Sequence, residues 1–318
     1  TLDIETTSAV TGWYGTYSAA GYHLALAHAR IEEFDVEGAK TELAVLDRHF
    51  DTIEHWPFIV RARALIGLIE GTPVDAAAQL VESVRARSRR SPTSPAMRAM
   101  LAAVHAELLI AAGDLRKAEQ VLSRRGGPSL DMSLAEARWA LAAGQTSRAL
   151  TTAARVRDAA GAHPRHRSGA LLVSAVAHDA RGHVQRATDA VVEALHALRR
   201  TGLRTPLALV PRSAVLKIRE HLTPEQHDVI DVLLAGAPEL VTHAAPSVRL
   251  TAREAAVLGA LANEARVTEI AAALYVSPNT VKTQLRTLYR KLGVSSRDDA
   301  LAAASAAGLI ETDTPRSG

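Results

Sequence analysis

Between Ser277 and Leu292 the apolar positions fall at helical spacing: Val281, Leu285, Leu288 and Leu292 stand at i, i+4, i+7 and i+11 and make one stripe. Ser277 suits an N-cap and Pro278 a first helical position, so the spacing predicts a helix that starts there. Opposite the stripe lie Asn279, Lys282, Thr283, Arg286 and Arg290, flanked by Thr280, Gln284, Thr287 and Lys291, and no acidic residue interrupts the run. Such a helix can bury its stripe in a core and lay the basic, hydrogen-bonding face in a major groove. A merely solvated basic face is the competing reading.

The neighbouring pattern favours the groove. Thr251 and Glu254 have capping-box spacing ahead of Val257, Leu258 and Leu261. A short helix is predicted from Thr268 to Leu274 with Ile270, Ala271 and Leu274 inward, after which Tyr275 and Val276 turn the chain into Ser277. Past Gly293, a C′ glycine, Ser296 and Asp299 open a fourth helix. Four short helices, the second and third joined by a tight turn, describe a helix-turn-helix unit.

Upstream, a second pattern repeats. Gly113 to Ala118, Gly144 to Ala149 and Gly182 to Ala187 are three copies of one turn followed by a helix start, and Gly71 to Ala76 and Phe34 to Ala39 are weaker copies. Successive marker alanines are 31 to 42 residues apart, the period of a helical hairpin. Each unit reads as one helix before the turn and one after, for example Met97 to Ala112 and then Leu115 to Leu122. A small residue at the marker position lets the paired helices approach closely. One hairpin cannot bury its apolar face alone, so stacking is required. An ordinary helical bundle with coincidental turns is the alternative. Past Arg200 the rhythm stops; Thr205-Pro206 and Thr223-Pro224 start further helices expected to close the array. Residues 236–249 lack periodicity, carry two prolines and read as a linker.

Composition sharpens this in places. With 47% hydrophobic and only 3% aromatic residues, the chain favours close-packed helices over sheets. A net charge of +3 is too small to argue for nucleic acid by itself; the placement of the charge does that. The absence of cysteine excludes disulfides and thiolate metal sites. No apolar run approaches the roughly 20 residues of a membrane span and no signal-peptide pattern opens the chain, so a soluble, cytoplasmic protein with no membrane partner is expected. The chain begins at Thr1 without methionine, as a piece of something longer would. There is no Gly-x-x-x-x-Gly-Lys loop, no Gly-x-Ser-x-Gly elbow and no His-Glu-x-x-His, so no enzyme, cofactor or metal site is expected. His163 and His166, with Arg165 and Arg167, read as a basic surface loop.

Eight of the few aromatics lie in the first fifth of the chain, among them Trp13, Tyr17, Trp56 and Phe58. They are read as core or cap of the first repeats, as a docking surface, or as the wall of an effector pocket; at least one of these four is expected to be partly exposed toward a groove.

Leu250-Thr-x-Arg-Glu254, Glu269-Ile-Ala271, Leu274, Val276-Ser-Pro278, Thr280-Val-Lys282, Lys291-Leu-Gly-Val294 and Ser296-Arg297 with Ala300 together resemble the C-terminal DNA-binding domain of LuxR/NarL-type transcription regulators. The hairpins resemble the tetratricopeptide-type repeats found ahead of that domain in large MalT-like LuxR regulators. The resemblance implies base-edge contacts from Lys282, Thr283 and Arg286 and backbone contacts from Ser277, Thr280, Gln284, Arg290 and Lys291. It also implies pairing of two domains through the fourth helix, where Ala300, Leu301 and Ala304 form a small-residue stripe. The sequence departs from the pattern at Gln284, where histidine is usual, and at Glu264 to Val267, where a Gly-x-Ser-Asn turn is usual.

The expectation is thus an all-α chain: a tetratricopeptide-like array over 1–235 that senses a small molecule or protein, a linker over 236–249, and a four-helix domain over 250–318 that binds double-stranded DNA as a homodimer. The rival is a helical-repeat scaffold whose last domain binds protein.

Overall fold

A computed structural model describes residues 17–47, 55–88, 93–124, 129–241, 250–263, 266–292, 294, 296–306 and 309, and all regular structure among them is helical. Five hairpins come first: α1 (Tyr17–Glu33) with α2 (Val36–Asp47), α3 (Trp56–Ile69) with α4 (Pro73–Ser88), α5 (Pro95–Ala111) with α6 (Leu115–Ser123), α7 (Leu130–Ala142) with α8 (Thr146–Asp158), and α9 (Pro164–Asp179) with α10 (Val184–Thr201). Within each hairpin the two helices pack together, and α1, α3, α5, α7 and α9 pack successively on one another.

The turns explain the repeated sequence. Gly113, Gly144 and Gly182 take φ of 77°, 72° and 72°, the left-handed region open to glycine without a Cβ penalty. The next N–H then reaches back five residues, as from Asp114 to the Leu109 carbonyl (2.9 Å) and from Gln145 to that of Ala140 (2.8 Å), closing the exposed helix end. Gly71 closes the second hairpin the same way. In the first hairpin Phe34 adopts this conformation at φ 60°, with the Arg204 guanidinium 4.8 Å from its ring centre. Ala39, Ala76, Ala118, Ala149 and Ala187 are all buried.

Close approach is tightest between α3 and α4, where a Cβ added to Gly67 would stand 2.6 Å from Ala76 Cβ. Gly67→Ala is therefore expected to destabilise the chain by about 1–3 kcal/mol despite the better helix propensity of alanine, read from the urea midpoint.

The stretch after α10 departs from expectation. Instead of starting a capping helix at the end of the array, Thr205 opens a four-residue turn, α11 (Thr205–Ala208), and the whole run to Pro211 is buried. Leu207 and Val210 join the apolar cluster built from α5 to α10, while Ala208 and Leu209 join the one built from α1 to α5. This short segment thus bridges the two halves of the array. The α12 (Arg212–Arg219) and α13 (Pro224–Leu234) helices then pack on α10, and α13 carries the expected capping box: Thr223 N–H donates to Gln226 Oε1 (3.0 Å) and Gln226 N–H to Thr223 Oγ1 (3.4 Å).

Residues read as the start of the linker also belong to the array. Arg212 donates to the Leu234 and Ala237 carbonyls at 3.1 and 3.0 Å, and Leu240 is buried against the first-half cluster. A coil pinned by guanidinium bonds to its carbonyls needs no apolar periodicity, so pattern alone could not place it. Residues 242–249 lie outside the described residues.

The C-terminal unit contains α14 (Ala252–Asn263), α15 (Val267–Ala273), α16 (Pro278–Leu292) and α17 (Arg297–Ala306). Its core joins Val257, Leu258 and Leu261 of α14, Ile270 and Ala271 of α15, the four-residue stripe of α16, and Ala300 and Ala304 of α17.

Candidate nucleic-acid interface

Local chemistry fixes every helix start in this unit. Thr251 N–H donates to Glu254 Oε2 (2.8 Å) and Glu254 N–H returns to Thr251 Oγ1 (3.3 Å), the reciprocal pair read from the sequence. Arg266 N–H donates to Glu269 Oε2 at 2.9 Å and starts α15. The turn closes with Val276 N–H on the Ala271 carbonyl (3.0 Å), which places Tyr275 at φ 53° and leaves the residue 96% exposed. Ser277 Oγ accepts from Thr280 N–H at 3.1 Å, and Ser296 Oγ accepts from Asp299 N–H at 3.1 Å.

With Val281, Leu285, Leu288 and Leu292 buried, the helical period turns Asn279, Thr280, Lys282, Thr283, Arg286 and Arg290 to solvent, all exposed. Lys282 and Arg286 stand one turn apart on this face. The Thr283 hydroxyl donates to the Asn279 carbonyl (3.1 Å) and so offers only its acceptor side outward. Ser277 and Thr280 hydroxyls lie 2.8 Å apart at the helix N-terminus, where the unpaired N–H groups favour an anion such as phosphate.

Two flanking residues differ from the rest. Lys291 is ion-paired with Glu254, so its ammonium must leave that carboxylate to meet a phosphate. The Lys291 hydrogen bond, with the Thr251 N–H, holds the Glu254 carboxyl below the usual carboxylate value. Gln284 is half-buried, and its Oε1 is enclosed without a hydrogen-bond partner among the described residues. It faces the core side of the helix more than the groove side.

The stripe expected to pair two domains lies against the domain's own core. Ala300 and Ala304 are both 0% exposed, since their small side chains let α17 sit close on its own core, and Leu301 is partly buried against the same cluster.

Two of the four singled-out aromatics have described side chains. Trp56 is 2% exposed and belongs to the core, placed there by the inward face of α3; Phe58 is partly buried against the same cluster. The Tyr17 side chain and all of Trp13 lie outside the described residues. His163 is exposed in the loop just before α9, whereas His166, in the first turn of that helix, is buried with its ring stacked 3.8 Å from that of His163.

What sequence reading missed is a polar interior. Arg138 pairs with Glu107, Arg165 with Glu32, and His166 Nε2 lies 3.1 Å from Asp131 Oδ1. The available signal was an arginine set directly between apolar residues, as Arg61 between Val60 and Ala62 in α3 and Arg138 between Ala137 and Trp139 in α7. His28 faces this region from α1, with Arg61 of α3, Arg165 of α9 and Glu32 of its own helix around it. Burial, then Arg61 and Arg165, lower its pKa to about 4 against the pull of Glu32. The unfolded chain takes up this proton near pH 6.5 and the folded chain only near 4. Stability should therefore fall with pH through that window, by about 1 kcal/mol between roughly pH 7 and pH 5.5. Urea midpoints of His28→Gln should lack this loss; an unchanged pH slope would place the titration elsewhere.

Residues 248–304 match the family model described as bacterial regulatory proteins, luxR family. Over 87 residues, 26% of this chain and 40% of the relative, the sequence is 45% identical to the probable transcriptional regulatory protein NarL of Mycobacterium tuberculosis. Over 57 residues, 18% of this chain and 27% of the relative, it is 53% identical to the probable transcriptional regulatory protein SgaR of Hyphomicrobium methylovorum. The chain thus spans less than half the length of either relative. No solved structure matches significantly. The segment 248–304, with its helix-turn-helix geometry, is thus similar to the luxR family of bacterial regulatory proteins.

Proposed function

We propose that this protein is a sequence-specific DNA-binding transcription regulator. Its luxR-type domain reads a duplex site, and its tetratricopeptide-like array senses a small molecule or protein partner. The observation that carries the reading is the exposed face of α16. Lys282, Arg286 and Arg290 stand on it among hydroxyl and amide groups with no acidic side chain on the helix. Base edges would be met by Lys282, Thr283 and Arg286, and phosphates by Ser277, Thr280 and Arg290, with Lys291 joining once it leaves Glu254. Binding as a homodimer to two half-sites needs a surface other than Ala300 and Ala304, which are committed to the core.

Selection of duplexes from a random pool by the full chain tests this. A defined motif, bound with an affinity that falls steeply with salt, is the expected result. Recovery of no motif, with binding that is equal on all duplexes, would favour the scaffold reading.

A further inference from the structure

Inside the array, α3, α5, α7 and α9 and the buried 205–210 segment enclose a cavity of about 30 Å³. That is room for roughly two or three water molecules. Its wall carries Arg61, Glu107, Asp131, Arg138, Arg165 and His166. Each carboxylate here is committed: Glu107 to Arg138, and Asp131 to His166, while Glu32 behind the wall holds Arg165. Arg61 is left over. It lines the cavity, is enclosed by protein on most sides, and has neither a hydrogen bond nor an ion pair among the described residues.

A guanidinium carries five N–H donors in a planar fork, and Arg61, partly exposed, offers them to no protein acceptor among the described residues. Here burial, and next Arg165, hold the Arg61 pKa below its ordinary value, so the surroundings do not favour its charge. An anionic acceptor would supply what the wall lacks. The fork matches a carboxylate in two parallel hydrogen bonds. The size admits only a few heavy atoms, and the three nearby carboxylates oppose a dianion.

We propose that this cavity binds the carboxylate of a small organic acid, with the Arg61 guanidinium as its anchor. The inference rests on the reading of the array as the sensing part and gives its ligand a chemical class. Thr205 and Leu209 close one side of the cavity. A bound acid therefore abuts the segment that joins the two halves of the array, which offers a route from ligand to fold.

The test is thermal melting of the full chain with formate, acetate, propanoate, inorganic phosphate or acetamide, at constant ionic strength set with chloride. Formate or acetate should raise the melting temperature saturably by about 2–4 °C at concentrations a few times Kd. Acetamide and phosphate should not. R61M removes a charge that has no pair, so it should fold and melt like the parent without acid, yet lose the response. R61K keeps charge without the fork and should need at least tenfold more acid for half the effect.

An equal shift with acetamide, a larger one with phosphate, or an undiminished response in R61M or R61K overturns the proposal. So does a melting temperature of R61M well below that of the parent, because Arg61 is then a structural charge. DNA affinity measured with and without acetate separates the two readings. Arg61-dependent binding that leaves DNA affinity unchanged supports the carboxylate site and removes its sensing role, whereas no binding removes the site alone.

Discussion

Alanine at Lys282 or at Arg286 should each weaken binding of the full chain to its preferred duplex by about 1–3 kcal/mol, roughly 5- to 150-fold in Kd, and relax discrimination at one base pair. Both side chains are exposed on the face of α16 opposite its buried stripe, one helical turn apart, and neither has a hydrogen-bond or ion-pair partner among the described residues. Nothing must be broken before they reach a base edge. An arginine or lysine that meets guanine O6 and N7 supplies discrimination of this size. Arg290→Ala should instead weaken cognate and scrambled duplexes alike and reduce the salt slope by about one, the mark of a phosphate contact. Lys291→Ala should show a smaller change, because its ammonium gives up the Glu254 ion pair to bind. Fluorescence anisotropy over a salt series with cognate and scrambled duplexes separates these outcomes. Equal losses on both duplexes for Lys282→Ala and Arg286→Ala would remove them from base readout.

Much of this site was legible because its signals are local. Ser277, Thr251 and Ser296 announce helix starts through hydrogen bonds that span three residues, and the α16 stripe follows from a period of 3.6. The hairpin turns were legible for the same reason, since glycine at a left-handed position leaves a mark at fixed spacing. What stayed hidden depends on contacts between distant parts of the chain. Alanine at 300 and 304 reads equally as a stripe for a partner or for the domain's own core, and only the fold decides. Trp56 was ambiguous in the same way. The run from Thr205 to Pro211 looks like another helix start, but its destination is set by Glu32, more than 170 residues earlier. No periodicity in either segment could reveal that meeting.

That meeting should dominate the stability of the array, and Glu32→Ala should cost about 3–5 kcal/mol. The Glu32 carboxylate accepts from the backbone N–H of Arg204 (2.8 Å) and of Thr205 (2.9 Å), from the Thr205 hydroxyl (2.8 Å) and from Arg165. Burial alone would raise its pKa, but Arg165 and the Thr205 and Arg204 N–H groups outweigh that and hold it below the usual carboxylate value. Alanine would leave the Arg165 guanidinium without its carboxylate and two N–H groups without an acceptor, next to a segment whose Leu207 and Leu209 serve different halves of the core. Glu32→Gln should cost less, because an amide oxygen still accepts from the backbone, though it cannot balance Arg165. The sign of the pH dependence follows from the lowered pKa. The contribution is present above the unfolded carboxylate pKa near 4.3 and is lost as pH falls through the lower folded value, so both variants should lose stability less steeply in acid than the parent. Urea unfolding followed by helicity at neutral pH and at about pH 4 measures both effects. A Glu32→Ala midpoint close to that of the parent at neutral pH would mean that packing of Leu207 to Val210 holds the segment without the carboxylate. The two halves of the array would then be joined by apolar contact alone.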